Sequence, residues 1–414
     1  MRRRTPLFLN PRRILAIFLL ILLILVLSFY VFLAQQETKS SVQVPGATSS
    51  PNPAISSNPI RSHDLAISPS PTGSLYPTTS PDPATSPTPA TSYPANIDYE
   101  GASGYGTYNP SALANPHVGA VAINMNWVDV EPQQGVFNWA PADHEVAAWV
   151  ATGKRFTLIV RYIKEGTAGT DCSSPQLTPS WEIARIQSFC DTDMGTLLPD
   201  YFDPMFRADL KAYAQAIATH FAASPYRNNL LYERIGVGEG GEGIPFMPAG
   251  DYATVDKPQL VSWGYTPTTW AAWQKEMMTS YKNAFSYSTA IYPLNGLDTD
   301  PATAQPVQVE VARWAASQGM GVGQQGLQPT TSTPLFRQLR SQYPRIYIQY
   351  QTISFVSNSA TPSCDATCVV QTDIRAADND GAQFIEWYSG DVVNAAYQSL
   401  FAQWQQIVNS KYSL

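Results

Sequence analysis

"LLYERIGVGEGGEG", residues 230–243, runs from an apolar segment directly into two carboxylates, Glu239 and Glu242, set among five glycines. A short apolar run bounded by glycine reads as a buried strand. Comparable runs recur along the chain: "VGAVAINMNW" (118–127), "RFTLIVRY" (155–162), "YSTAIYPL" (287–294), "GMGVGQQG" (319–326), "RIYIQYQTI" (345–353) and "AQFIEW" (382–387), which makes seven strands, with "NIDYEG" (96–101) as a candidate eighth. Between them lie helical segments such as "APADHEVAAWVATG", "PMFRADLKAYAQAIATHFAAS", "TTWAAWQKEMMTSYKNAF", "PVQVEVARWAASQG" and "TPLFRQLRSQY". In the second of these, Phe206, Leu210, Tyr213, Ala214 and Ile217 share one helical face. Strand alternating with helix predicts parallel strands under helical cover, and eight such units over about 315 residues fit an α/β fold of the (β/α)8 TIM-barrel type. A doubly wound sheet is the competing arrangement, but no GxGxxG follows the first strand.

The barrel occupies residues 96–414, and three other regions precede it. Residues 1–13 carry five arginines in "MRRR" and "NPRR". Residues 14–34, "ILAIFLLILLILVLSFYVFLA", contain no charge and are long enough to cross a bilayer. The arginines should stay cytoplasmic, which makes the segment a single-pass signal anchor in the cell membrane and leaves the C-terminal domain extracellular. A cleaved signal peptide is the alternative, but Phe32 stands where its processing site wants a small residue. Residues 35–95 are rich in Pro, Ser and Thr, with too little to bury to offset the entropy of folding, and read as a disordered stalk.

The net charge of -7 excludes nucleic acid as an expected partner, because phosphate binding needs a concentrated basic face. The four cysteines, Cys172, Cys190, Cys364 and Cys368, fall in the extracellular part, where an even count reads as disulfides. Three pairings are possible; Cys172 with Cys190 and Cys364 with Cys368 closes the shortest segments. The cysteines lack zinc-ligand spacing and the four histidines are scattered. "DTDP" (298–301) and "DND" (378–380) do not match a calcium loop, so no metal and no cofactor are expected.

In a barrel of this type the C-terminal strand ends carry the active site. Those ends hold Asn126, Trp127, Asp129 and Glu131; Arg161 and Tyr162; Glu239 and Glu242; Gln324 and Gln325; Gln349 and Gln351; Glu386 and Trp387. Carboxylates and amides on one rim suit sugar hydroxyls, and indoles suit the apolar face of a sugar ring. Glu239, Glu242 and Glu386 are the candidate catalytic groups, and Asn126, Trp127, Arg161, Tyr162, Gln324, Gln325, Gln349, Gln351 and Trp387 the candidate binding groups. The partner implied is an oligo- or polysaccharide, met by a monomeric head. Several of these residues also have bland readings: Glu131 shapes its loop or holds Arg161, Trp127 and Trp387 are core, and Trp149, Trp270, Trp273 and Trp314 pack within helices.

The segment "NMNWVDVEPQQGVFNW" (124–139) resembles the W-x-x-x-E-P-x-x-G-x-(Y/F)-x-W stretch common in clan A glycoside hydrolases, notably relatives of the bacterial β-galactosidases. "VAAWVATGKRFTLIVRY" is similar to the helix and third strand that follow it there, and "PYRNNLLYERIGVGEGGEG" to a fourth strand ending in the acid/base region. The resemblance implies a β-glycan hydrolase with a general acid/base at the end of strand four and a nucleophile at the end of strand seven. Glu239 and Glu242 fall where the acid belongs, although Gly238 replaces the usual Asn before it. Strand seven offers Gln349 and Gln351 in place of a Glu, and the remaining acid, Glu386, falls on strand eight. The two resulting expectations are a retaining hydrolase that uses Glu239 or Glu242 with Glu386, and a barrel that binds glycan without cutting it.

Overall fold

Eight of the apolar runs form the staves of one closed parallel barrel: β1 (Asn96–Tyr99), β2 (Ala120–Asn126), β3 (Arg155–Arg161), β6 (Leu230–Arg234), β7 (Ala290–Leu294), β8 (Gly321–Leu327), β9 (Ile348–Thr352) and β10 (Phe384–Tyr388). Two short antiparallel strands, β4 (Ser188–Asp191) and β5 (Thr196–Pro199), form a separate hairpin between β3 and the next barrel strand. The computed structural model describes residues 94–99, 105–163, 172, 176–191, 195–245, 256–294, 304–327 and 334–412. The basic segment 1–13, the apolar segment 14–34 and almost all of the stalk lie outside these residues. Among those described, no helix is long and apolar enough to cross a membrane.

Barrel neighbours follow chain order, and β1 closes the ring by pairing Asn96 with Ile385 on one side and Ile97 with Ala120 on the other. β6 is therefore the fourth barrel strand, β9 the seventh and β10 the eighth. The strands are buried on both faces because one face packs into the lumen and the other under helices, as parallel strands require; towards the mouth the lumen face carries polar side chains. β2 and β6 are buried along their full length.

Local signals set the helices. In Pro204–Ala223, Asp203 caps the start by accepting from the Met205 and Phe206 amides, with Pro204 in the first turn where no donor is needed. Its buried face comprises Phe206, Leu210, Tyr213, Ala214, Ile217, Ala218 and Phe221, and Phe221 meets Phe156 of β3 at 5.6 Å. Helix Pro267–Ala284 begins with a capping box between Thr266 and Thr269. Helix Ala366–Asp380 ends at Gly381, which takes the left-handed conformation (φ 78°) that ends many helices. Disulfides join Cys172 to Cys190, at the hairpin, and Cys364 to Cys368, at the start of helix Ala366–Asp380.

Candidate active site at the barrel mouth

Side chains alternate along a strand, so each barrel strand sends every second residue into the lumen. On β6 this separates Tyr232 and Arg234 from Glu233. The Tyr232 hydroxyl donates to Glu386 Oε1 at 2.8 Å and the Arg234 guanidinium meets Glu386 Oε2 at 2.7 Å. Because strands four and eight stand opposite each other in the ring, both contacts cross the lumen. Glu233 faces outward, where burial pushes its carboxyl well above the ordinary carboxylate range.

Arg234 is the node of the mouth. Its Nη1 also donates to the side-chain oxygens of Gln325 on β8 and Gln351 on β9. Strands four, six, seven and eight are thus joined through one nitrogen. Burial opposes the charge of Arg234, but Glu386, Tyr99, Tyr232 and Glu242 outweigh it and hold the guanidinium above its ordinary value. Burial raises the Glu386 carboxyl, while Arg234 and Tyr232 pull it back down. The Tyr232 hydroxyl is raised far above its usual value by burial and then by Glu386, so it stays a donor. The Arg234 side chain also lies over the ring of Tyr99.

The two acids of the opening stretch sit on the turn that leaves β6. Gly240 and Gly241 take positive φ (63° and 80°), which reverses the chain between Glu239 and Glu242. A Cβ on Gly236 or Gly238 would strike the carbonyl of Val160 or Ile244, so the turn is pressed against the end of β3 and against its own return. Indole donors on helix Pro267–Ala284 hold it from outside: Trp270 to the Gly243 carbonyl at 3.1 Å and Trp273 to the Val237 carbonyl at 3.0 Å. Both acids are buried. Glu242 is close enough to Arg234 to act on its charge, and Glu239 acts on Tyr201.

Other candidates divide by face. Asn126, Arg161, Gln325, Gln349, Gln351 and Glu386 fall on lumen positions. Gln349 is fully buried and lies over Gly323, whose missing Cβ leaves it room. Trp127, Tyr162, Gln324 and Trp387 do not join them. Trp127 stacks on Tyr213 at 5.2 Å and donates to Glu131 Oε2 at 2.8 Å. Tyr162 packs on Phe206, and Trp387 packs on Phe401 while donating to Asn96 Oδ1 at 3.0 Å. Gln324 is next to lumen-facing Gln325 and so takes the opposite face. For Gln324 and Trp387 strand alternation is the reason, since the neighbour of a lumen residue points into the helix layer; Trp127 opens the short helix Trp127–Val130 and Tyr162 follows the last residue of β3, and both turn into the same layer. Glu131 shapes its loop, since Oε1 accepts the Gly135 amide at 2.8 Å, and it does not hold Arg161.

Tyr232 and Arg234, central to the site, were not among the sequence candidates. The available signal was a charged residue two positions from a tyrosine inside "LLYERI", on the face that ends in the glycine turn. Strand eight does carry Glu386, as the sequence count expects, and strand seven carries only Gln349 and Gln351 at the lumen. Among the described residues, no group of three His, Cys, Asp or Glu could hold a metal ion.

No protein-family profile matches the sequence, and no curated protein does. Among solved structures, the catalytic domain of β-amylase from Paenibacillus polymyxa is similar, with a TM-score of 0.54 and 11% identity over 77% of this chain and 99% of that one. An exo-β-1,4-mannosidase from Opitutaceae bacterium strain TAV5 gives a TM-score of 0.46 and 13% identity over 77% of this chain and 60% of that one. Native xylanase 10B from Thermotoga maritima gives 0.43 and 10% over 72% and 83%. At these identities the likeness shows the fold alone: the chain has a closed parallel α/β barrel, as the β-amylase catalytic domain is similar to it over 77% of its length.

Proposed function

We propose that this barrel is a glycoside hydrolase of β-linked glycans, acting with retention and held outside the cell by the apolar segment 14–34 and the stalk. The observation that carries the reading is the Arg234 node, which ties the strand-eight carboxylate to amides of strands six and seven and feels Glu242 on the strand-four turn. A glycosidic bond needs a proton for its leaving oxygen and negative charge opposite the anomeric carbon. Glu242, or Glu239 beside it, supplies the proton, and Glu386 attacks the anomeric carbon or stabilises its positive charge. Tyr232 and Arg234 orient Glu386 and share its charge. Retention requires the two carboxyl groups to stand about 5 to 5.5 Å apart when substrate is bound.

A second reading, glycan binding without cleavage, draws on one observation: both Glu386 oxygens are already engaged, by Tyr232 and Arg234, and strand seven supplies only amides. The purified protein assayed on a panel of aryl β-glycosides and β-glycans, beside Glu239→Gln, Glu242→Gln and Glu386→Gln, separates the two. Hydrolysis lost in Glu386→Gln and in one of the other two variants supports catalysis. Full activity in Glu386→Gln removes it as the nucleophile, and binding without release in all four proteins establishes the second reading.

A further inference from the structure

Among the described residues two arginines reach the lumen at the barrel mouth, and only one of them has an ion-pair partner there. Arg234 is matched by Glu386. Arg161 ends β3, on the lumen face that alternates with Phe156 and Tyr162, both of which pack outward on aromatic rings of helix Pro204–Ala223. It is only 1% exposed, and its Nε and Nη1 are buried without a hydrogen-bond partner. Among the described residues, no carboxylate lies within ion-pair distance of it. Its nearest acid in the sequence motif, Glu131, is spent on the Trp127 indole and the Gly135 amide. Asn126 is the register partner of Arg161 on β2 and so shares its face. The Asn126 amide nitrogen donates to Asp129 at 2.9 Å, but its Oδ1 is buried without a partner.

Adjacent positions at the mouth therefore present a guanidinium with no ion-pair partner among the described residues and an acceptor with no donor. A buried charge without a partner is costly, and a buried acceptor without a donor adds to that cost. A planar carboxylate matches the guanidinium fork in two hydrogen bonds, and a hydroxyl satisfies the amide oxygen. We infer that the mouth receives an acidic sugar, a uronic acid residue, with its carboxylate on Arg161 and a ring hydroxyl on Asn126 Oδ1. This deepens the reading of the mouth as a glycan site and rests on it.

The test is calorimetric titration of the full-length protein in detergent with a uronate-containing β-linked oligosaccharide and with its carboxyl-reduced counterpart, repeated on Arg161→Gln and Arg161→Lys. The acidic ligand should bind about 10- to 100-fold tighter than the reduced one. Arg161→Gln should bring the two to equal affinity, and Arg161→Lys should keep part of the difference. Thermal unfolding completes the set: loss of an unpaired buried charge should leave the Arg161→Gln melting temperature equal to wild type or above it. Equal binding of both ligands by wild type overturns the inference and leaves the glycan reading standing. Failure of both ligands to bind overturns the two together. A preference that survives Arg161→Gln, or a clear fall in its melting temperature, assigns Arg161 a structural role and overturns the inference.

Discussion

Replacing Arg234 by Met tests whether the mouth is held by one buried ion pair. Arg234 is 3% exposed and Glu386 fully buried, so the substitution leaves a carboxylate out of water with only Tyr232 beside it. Breaking a buried pair at one partner costs about 3–5 kcal/mol. At roughly 2–4 °C per kcal/mol for large domains, the melting temperature should fall by about 6–20 °C. The fall should depend on pH, with a definite sign. Burial raises the Glu386 carboxyl and Arg234 is the larger of the groups that lower it, so the variant's Glu386 titrates higher still. A carboxyl whose folded value lies above its unfolded value contributes stability that is full at low pH and lost as pH rises through the folded value. Arg234→Met should therefore be closer to wild type at pH 5 than at pH 8. The double variant Arg234→Met, Glu386→Gln should recover part of the loss, since no charge remains buried. Calorimetric unfolding of wild type, both single variants and the double variant at the two pH values measures this directly. Additive effects within about 0.5 kcal/mol, or a larger deficit at pH 5, would refute the coupling.

Two further outcomes follow from groups away from the mouth. Burial, and next Asp391, raise Asp373 on helix Ala366–Asp380 to about 8, and burial raises Asp391 to about 6. Both folded values lie above the unfolded ones, so this pair stabilises fully at acid pH and progressively less as pH climbs toward 8; Asp373→Asn should flatten that decline, by up to roughly 5 kcal/mol at pH 8. An unchanged slope of melting temperature against pH would exclude the pair as its source. Separately, the Cys172–Cys190 bridge closes a separation of 18 residues and Cys364–Cys368 one of only 4. Removing the first should cost about 3 kcal/mol and removing the second clearly less, as urea unfolding of the two double-serine variants would show.

Much of this architecture is legible in the sequence. Apolar runs alternating with amphipathic segments located seven of the barrel strands in order and offered the eighth as a candidate, because parallel strands are buried on both faces and their crossovers are helical. The acids at 239 and 242 could be assigned to the end of strand four because glycines at positive φ and close backbone approach leave a distinct sequence trace. The β4–β5 hairpin was not legible, since its four-residue strands carry no run of their own.

Sequence alone determined relative facing. Gln324 and Gln325, and Glu386 and Trp387, are adjacent pairs within one strand, and a period of two forbids both members of such a pair from entering the lumen. Which member enters is decided only when the ring closes, because closure chooses which face of every strand becomes the inside. Closure also set Tyr232 and Arg234 across from Glu386, a contact 154 and 152 residues apart along the chain that no local pattern encodes. It left Arg161 at the same mouth with Nε and Nη1 buried and without a hydrogen-bond partner.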